Sequence, residues 1–264
     1  LIEPGVPDDT CEYCRTGRYN ICPGVDFMAT QPNYKGALTQ YMTHPEEWTY
    51  HIPEGMTTME GALVEPAAVG MHAAVLGGAQ PGKSIVILGG GTIGLMVLQA
   101  CISLGATDIT VVDVIEKRLE LAKKLGAARV INGKEEDTVA VLRSEEMYGD
   151  HGVDLVFEAA GAVFTAQQAV QIVSRGGKIM MVGTQSKPVP IDFLKINREV
   201  TIQTSFRYCN NFPQTIEAIS SGRFNVKDMV TNIYDYEDVQ KAFEEAIDPV
   251  KKTEMVKGVI KVAE

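Results

Sequence analysis

Two groups of residues could do chemistry by type and spacing. The first is rich in thiols: Cys11-Glu12-Tyr13-Cys14 followed by Cys22 puts three cysteines in a window of 12 residues, a spacing that can wrap a tetrahedral Zn²⁺. Three thiolates leave a fourth position to fill, and Asp8, three residues before Cys11, continues the same step. Asp8, Cys11, Cys14 and Cys22 are therefore candidate ligands of a closed structural zinc. Because a carboxylate is a harder ligand than a thiolate, such a site should hold zinc less firmly than four cysteines would. The competing reading is a loop of free thiols. Cys101 and Cys209 read as packing.

The second group is a glycine turn between two apolar runs. Ile85-Val86-Ile87-Leu88 reads as a strand, Gly89-Gly90-Gly91-Thr92-Ile93-Gly94 as the turn, the apolar residues to Leu104 as a helix, and Ile109-Thr110-Val111-Val112 as a second strand ending in Asp113. Gly89 permits the tight turn, Gly91 lets a backbone approach a pyrophosphate, and Gly94 lets the helix lie close to the sheet. Thr92 and Ile93 open that helix, whose free N–H groups and positive dipole end face the phosphates. Asp113 stands 19 residues after Gly94, where a carboxylate accepts hydrogen bonds from an adenosine ribose and repels a 2′-phosphate. The pattern favours NAD over NADP. The alternative is a glycine turn in another doubly wound protein, such as a methyltransferase. Arg118 either covers the adenine or its ribose or is a solvated arginine at a helix start.

These groups sit in different surroundings. Residues 1 to about 67 carry scattered Pro and Gly and little helical periodicity, which predicts a β-rich, irregular region. From about 68 strands and helices alternate: helix 116–125, strand 128–131, helix 136–147, strand 153–158, helix 163–173, strand 177–182 and strand 200–206. Short apolar strands of this kind are buried on both faces of a parallel sheet. The rhythm then breaks, with helices near 211–220 and 236–246 and a last strand near 256–262. The predicted fold is α/β: a doubly wound parallel sheet over 68–208, an incomplete β-rich domain over 1–67, and a segment 209–264 returning to it.

Composition narrows the partners. With 264 residues, 45% hydrophobic and 22% charged, the chain can bury a substantial core. A formal charge of −10 and the lack of a Lys/Arg run argue against nucleic acid. No apolar stretch has membrane-spanning length. Five cysteines, odd in number and three of them bunched near the start, suit a reduced cytoplasmic protein with a metal site better than a disulfide framework. The opening Leu1-Ile2-Glu3-Pro4 lacks Met and reads as the middle of a strand, so the natural start is expected to lie upstream.

Together with the cysteine lobe and the glycine turn, Gly61-Ala62-Leu63-Val64-Glu65-Pro66-Ala67-Ala68-Val69-Gly70 and Ser205-Phe206-Arg207-Tyr208-Cys209-Asn210 make the chain resemble the zinc-containing medium-chain dehydrogenases, and within them the sorbitol (L-iditol) and xylitol dehydrogenases. The resemblance implies a Rossmann domain joined to a GroES-like catalytic domain. It also implies NAD-linked oxidation of a secondary alcohol of a polyol to a ketose, with a catalytic zinc polarising the substrate oxygen.

The same resemblance assigns roles. Glu65 corresponds to the family's glutamate at or near the catalytic zinc, against the plain alternative of a surface glutamate. The remaining zinc ligands, a Cys and a His-Glu pair, belong to an N-terminal segment of roughly 80 to 90 residues not found in this sequence; as written, the chain is expected to be inactive. Arg207 and Tyr208 imply contact with substrate hydroxyls, against the alternative of a surface pair, and Phe27 and Thr30 align with a substrate-pocket segment where packing is an equal reading. Val182 and Gly183, at the end of a strand, either line the nicotinamide through their backbone or are ordinary sheet core, and Phe206 is placed on the cofactor side with them. His44, His51 and His151 are given no role, and His72 is expected to open a helix as a packed or capping residue. A homo-oligomer, dimer or tetramer, follows from the family. The rival activities are a dehydrogenase for threonine, a butanediol or a sugar phosphate, and, from another class, a noncatalytic NAD-binding remnant.

Overall fold

The apolar runs do become buried parallel strands. The computed structural model describes residues 1–30 and 35–262. Along them lie β1 (Gly5–Val6), α1 (Glu12–Arg15), β2 (Asp26–Phe27), α2 (Thr58–Ala62), α3 (Val64–Gly77), β3 (Ser84–Leu88), α4 (Thr92–Ser103), β4 (Asp108–Asp113), α5 (Glu116–Lys124), β5 (Arg129–Asn132), α6 (Thr138–Leu142), β6 (Val153–Glu158), α7 (Val163–Ile172), β7 (Val173–Met181), β8 (Thr201–Thr204), α8 (Phe212–Ser220), β9 (Val230–Asp235), α9 (Val239–Ile247), α10 (Lys251–Glu254) and β10 (Lys257–Lys261).

Among the described residues, six strands form one parallel sheet in the order β5-β4-β3-β6-β7-β8. The order reverses between β3 and β6, and in such sheets ligands bind at that point, beyond the carboxyl ends of the strands. The register aligns those ends. Leu88 pairs with Val112 on one side and Glu158 on the other, Glu158 with Met181, and Met181 with Thr204. Gly89, Asp113, Ala159, Val182 and Ser205 therefore leave the sheet along a single rim.

Period-2 alternation gives the sheet two cores. Ile85, Ile87 and Phe157 pack with Met71, Leu95 and Phe212 on one face, whereas Val86, Leu88 and Val156 pack with Leu142, Ile172 and Ile179 on the other. Helices α3 and α4 touch so closely that a Cβ on Gly70 would lie 2.5 Å from the Met96 backbone.

Several expectations need correction. Helix α6 covers 138–142 instead of 136–147: Asp137 caps its start, and Arg143 leaves it to donate to the carbonyls of Gly149, Asp150, Gln171 and Val173, which holds the following residues in turns. Strand β7 begins at Val173, earlier than the apolar run suggested. His72 lies within α3 and does not open it; a capping box between Thr57 and Glu60 starts α2, and α3 follows directly at Val64. The N-terminal region is more irregular than β-rich, with β1 paired to β2 and an Ile2–Thr49 bridge as its described strand pairing before residue 64. No helix of the described residues is long and apolar enough to cross a membrane.

Candidate functional site

A cleft of about 370 Å³ lies over the switch point, lined by Gly89, Gly91, Asp113, Arg118, Ala160 and Thr165 among others. The glycines there answer to different constraints. Gly89 has φ +109°, in a region closed to most side chains, and a Cβ on Gly94 would fall 1.8 Å from the Gly89 carbonyl oxygen. Gly91 is hemmed in by nothing: an added Cβ would meet only the Arg118 guanidinium, at 3.9 Å. Since no protein neighbour requires a glycine at 91, the open space before it is a cradle that a diphosphate fits, at the N-terminus of α4 where no side chain caps the free N–H groups. Thr92 directs its hydroxyl to the Val256 carbonyl, tying the start of α4 to the C-terminal segment; Ile93 follows in the first turn.

Asp113 is buried and already engaged. One carboxylate oxygen accepts from the N–H of Gly90 at 2.6 Å, the other from Val114 and Ile115 at 2.7 and 2.9 Å. The Arg118 guanidinium stands 3.6 Å from it, so Asp113 and Arg118 form an ion pair on the wall of the cleft.

A residue that sequence reasoning missed organises the next part of the rim. Glu158 is fully buried at the end of β6. It accepts from the N–H groups of Ala160 and Gly161 and the hydroxyl of Thr165 with one oxygen, at 3.0, 2.9 and 2.7 Å, and from Gln185 with the other at 2.6 Å. Its signal was an acidic residue closing an otherwise apolar strand. Val182 and Gly183 donate their N–H groups to the Glu158 carbonyl and line a separate hollow of about 460 Å³ with Thr184, Gln185, Thr204 and Ser205. A Cβ on Gly183 would meet the Gly161 nitrogen at 2.3 Å, so packing alone also demands glycine there.

Four predicted residues from distant parts of the chain converge. Arg207 lies over the ring of Phe27, with its guanidinium carbon 3.9 Å from the centroid, and is 4.8 Å from that of the half-exposed Phe206. Burial pulls the Arg207 pKa below the usual range, while the charges of Tyr208 and Glu65 oppose that. Glu65, in the first turn of α3, is half-buried, and desolvation raises its pKa against the influence of Tyr208, Lys257 and Arg207. Burial and the Glu65 charge together push the Tyr208 phenol well above its ordinary range. The hydroxyl interacts with Glu65 without meeting the geometry of a full hydrogen bond, and one Arg207 nitrogen is likewise buried without a partner. Buried polar groups are ordinarily hydrogen-bonded, so both atoms call for an explanation. Lys257, absent from the sequence-based set, is the extra charge on Glu65. Thr30 is exposed and donates its hydroxyl to the Phe27 carbonyl at 2.8 Å, supporting Phe27 from behind. Glu65 belongs to no group of three or more metal-binding side chains among the described residues. One carboxylate is too few for a catalytic zinc, which takes three protein ligands.

The structure brings the four residues of the thiol lobe together. Ligand atoms of Asp8, Cys11, Cys14 and Cys22 all lie within 4.8 Å of one another, and the Cys11 and Cys14 sulfurs are 3.3 Å apart, gathered around a position where one cation could reach all four after small shifts. Cys11 is the N-cap of α1, and Cys22 closes the short helical turn at Tyr19–Ile21. The Thr10 and Cys11 N–H groups hold the Asp8 carboxylate down to about 2, while desolvation and the neighbouring sulfurs push Cys14 up to about 12. A divalent cation relieves that crowding of sulfurs. The donor set fits structural zinc. All five cysteines are unpaired.

Comparison with known proteins agrees with this architecture. The alcohol dehydrogenase GroES-like domain model matches residues 1–54 and the zinc-binding dehydrogenase model residues 92–221. The chain is 64% identical over 263 residues to the uncharacterized zinc-type alcohol dehydrogenase-like protein YdjJ of Escherichia coli, covering 100% of this chain and 75% of that protein. It is 41% identical over 249 residues to the sorbitol dehydrogenase of Bacillus subtilis, covering 93% and 69%. It superposes on the crystal structure of ECK1772, an Escherichia coli oxidoreductase/dehydrogenase of unknown specificity, with a TM-score of 0.96 at 63% identity, covering 100% of this chain and 75% of that one. On these grounds the chain belongs to the zinc-containing medium-chain dehydrogenases of sorbitol dehydrogenase type, an oxidoreductase family that uses zinc and an NAD(P)-type cofactor.

Proposed function

We propose that this chain forms the NAD-binding and substrate-positioning parts of a polyol dehydrogenase that oxidises a secondary alcohol of a sugar alcohol, of the sorbitol or xylitol type, to a ketose. The convergence of Glu65, Arg207, Tyr208 and Phe27 carries the reading. The Arg207 guanidinium and the Tyr208 phenol, beside the Glu65 carboxylate, offer donors and acceptors for several neighbouring hydroxyls. A sugar phosphate would call for more cationic groups than Arg207 and Lys257.

Asp113 favours NAD over NADP by like-charge repulsion of a 2′-phosphate. Gly91 and the free N–H groups of α4 bind the diphosphate, and Val182, Gly183 and Phe206 lie toward the nicotinamide end. Asp8, Cys11, Cys14 and Cys22 would hold structural zinc, which braces the lobe. A catalytic zinc would polarise the alcohol oxygen, but Glu65 needs further donors beside it for that role. Residues 1–67 and 209–264 then serve as the catalytic part and 68–208 as the cofactor part. The unpaired thiols suit a reducing, cytoplasmic setting. Phe193 and Leu194, exposed in the segment leading into edge strand β8, support a homo-oligomer.

The isolated Glu65 favours one second reading, a noncatalytic NAD-binding protein. The deciding experiment compares the 264-residue chain with a chimera lengthened by the matching segment of the Escherichia coli relative. Both are given zinc, NAD⁺ and a panel of sorbitol, xylitol, threonine, 2,3-butanediol and a hexitol phosphate. NADH formation by the chimera on the free polyols, with NADH binding but no turnover by the chain, is the expected result. A zinc-loaded chimera that oxidises none of the polyols overturns the reading.

A further inference from the structure

The loop after β8 is held by the thiol lobe. Asn20 donates its side-chain amide to the Phe206 carbonyl at 2.8 Å. The Tyr19 hydroxyl accepts from the Asn210 N–H at 2.8 Å. The Asn210 side chain and the Cys209 thiol both donate to the Gly17 carbonyl, at 2.6 and 3.0 Å. Gly17, Tyr19 and Asn20 lie between Cys14 and Cys22, inside the span that a bound metal would close. The segment they grip, 206–210, carries Arg207 and Tyr208.

The grip acts on the backbone of a loop whose side chains are anchored elsewhere, Tyr208 in the core against Phe212 and Arg207 over Phe27. Arg207 and Asn210 both have left-handed backbones, with φ of +52° and +57°, an arrangement that persists only where surroundings enforce it. Tyr19 is itself fixed on the opposite side. Its hydroxyl donates to the buried Glu3 carboxylate at 2.7 Å, which also accepts from Tyr50 at 3.0 Å, and its ring meets Trp48 edge-on at 4.9 Å.

We propose that Tyr19 and Asn20 are positioning residues for the substrate pocket, so that metal occupancy of the Asp8-Cys11-Cys14-Cys22 lobe sets the order of the loop bearing Arg207 and Tyr208. This rests on the assignment of that loop to the substrate site. Its test, however, reads loop order directly and needs no turnover.

Hydrogen–deuterium exchange is followed in peptides covering 10–22 and 205–211, with zinc bound and after chelation, in the 264-residue chain. Metal content is measured on the same samples. Chelation is expected to speed exchange in 205–211 as well as in 10–22, by about fivefold for each hydrogen bond released. Tyr19→Phe removes the acceptor for the Asn210 amide and should raise exchange in 205–211 even with zinc bound. Asn20→Ala, which leaves the Glu3 network intact, should do the same to a lesser degree. In the polyol-oxidising chimera both variants should raise KM far more than they lower kcat. A zinc-loaded chain whose 205–211 exchange is unmoved by chelation overturns the proposal while leaving the polyol reading standing. A chain that binds no zinc overturns both the proposal and the metal site.

Discussion

The guanidinium of Arg207 lies over the ring of Phe27, 3.9 Å from its centroid, joining the end of the chain's parallel sheet to a short strand near its N-terminus. A planar cation stacks on an aromatic face in a way that an ammonium does not reproduce. The contact ties Phe27 and Arg207 to each other.

A double-mutant cycle of Phe27→Ala and Arg207→Lys should therefore reveal a coupling of about 1 kcal/mol in unfolding free energy, measured by denaturant titration. In the active chimera, Arg207→Lys should weaken polyol binding roughly fivefold through the same loss. Strict additivity of the two single effects would show that the stacking carries no energy.

Gly91 and Gly94 should respond oppositely to one methyl group. Gly94→Ala drives a Cβ into the Gly89 carbonyl and should prevent stable folding. Gly91→Ala meets nothing nearer than 3.9 Å and should leave Tm almost unchanged, while NADH affinity falls by about tenfold or more as the diphosphate loses its close approach. Thermal melts and NADH fluorescence titrations separate the two outcomes. Undiminished NADH binding by Gly91→Ala would place the diphosphate elsewhere.

Asp113→Asn keeps shape but removes the charge that three backbone N–H groups share. Hydrogen bonds to charged groups are worth about 1.5–3 kcal/mol, so a loss of roughly 2 kcal/mol in stability is expected. With Arg118 freed beside the ribose position, preference should move from NADH toward NADPH. Parallel titrations of both dinucleotides check this; an unchanged ratio would mean that Asp113 acts only on its own loop.

Glu3 provides a pH test. Burial raises its pKa even though Tyr19 and Tyr50 donate to it, so the folded chain binds this proton more tightly than the unfolded one. Its favourable linkage is fully present below the ordinary carboxylate pKa and is lost as pH rises through the raised folded value. Glu3→Gln has no such proton. Relative to wild type, the variant should gain stability between pH 4 and pH 7 in urea titrations. A wild-type-minus-variant difference that is flat across that interval would contradict the assignment of Glu3 as the responsible group.

Much of this protein was legible without coordinates. The glycine turn, the acid at the end of the second strand and the thiol spacing each reflect local constraints: a turn that needs positive φ, a helix that must approach a sheet, ligands that must reach one ion. Local constraints of this kind appear as spacing. Strand identities were equally clear, because strands buried on both faces read as unbroken apolar runs. Helix α6 ended early where a long-range contact intervened, as Arg143 crossed to the carbonyls of Gln171 and Val173.

Tertiary structure alone decided what meets what. Nothing in the spacing of Glu158 announces that its carboxylate gathers the loop after β6 and Gln185. The sequence separation of Lys257 and Glu65 likewise conceals their electrostatic contact. Nor does any motif state that Tyr19 and Asn20 grip the segment displaying Arg207. These pairings arise because a parallel sheet gathers its carboxyl ends on one rim and the flanking segments fold back over it. That convergence is a property of topology, and a one-dimensional pattern does not contain it.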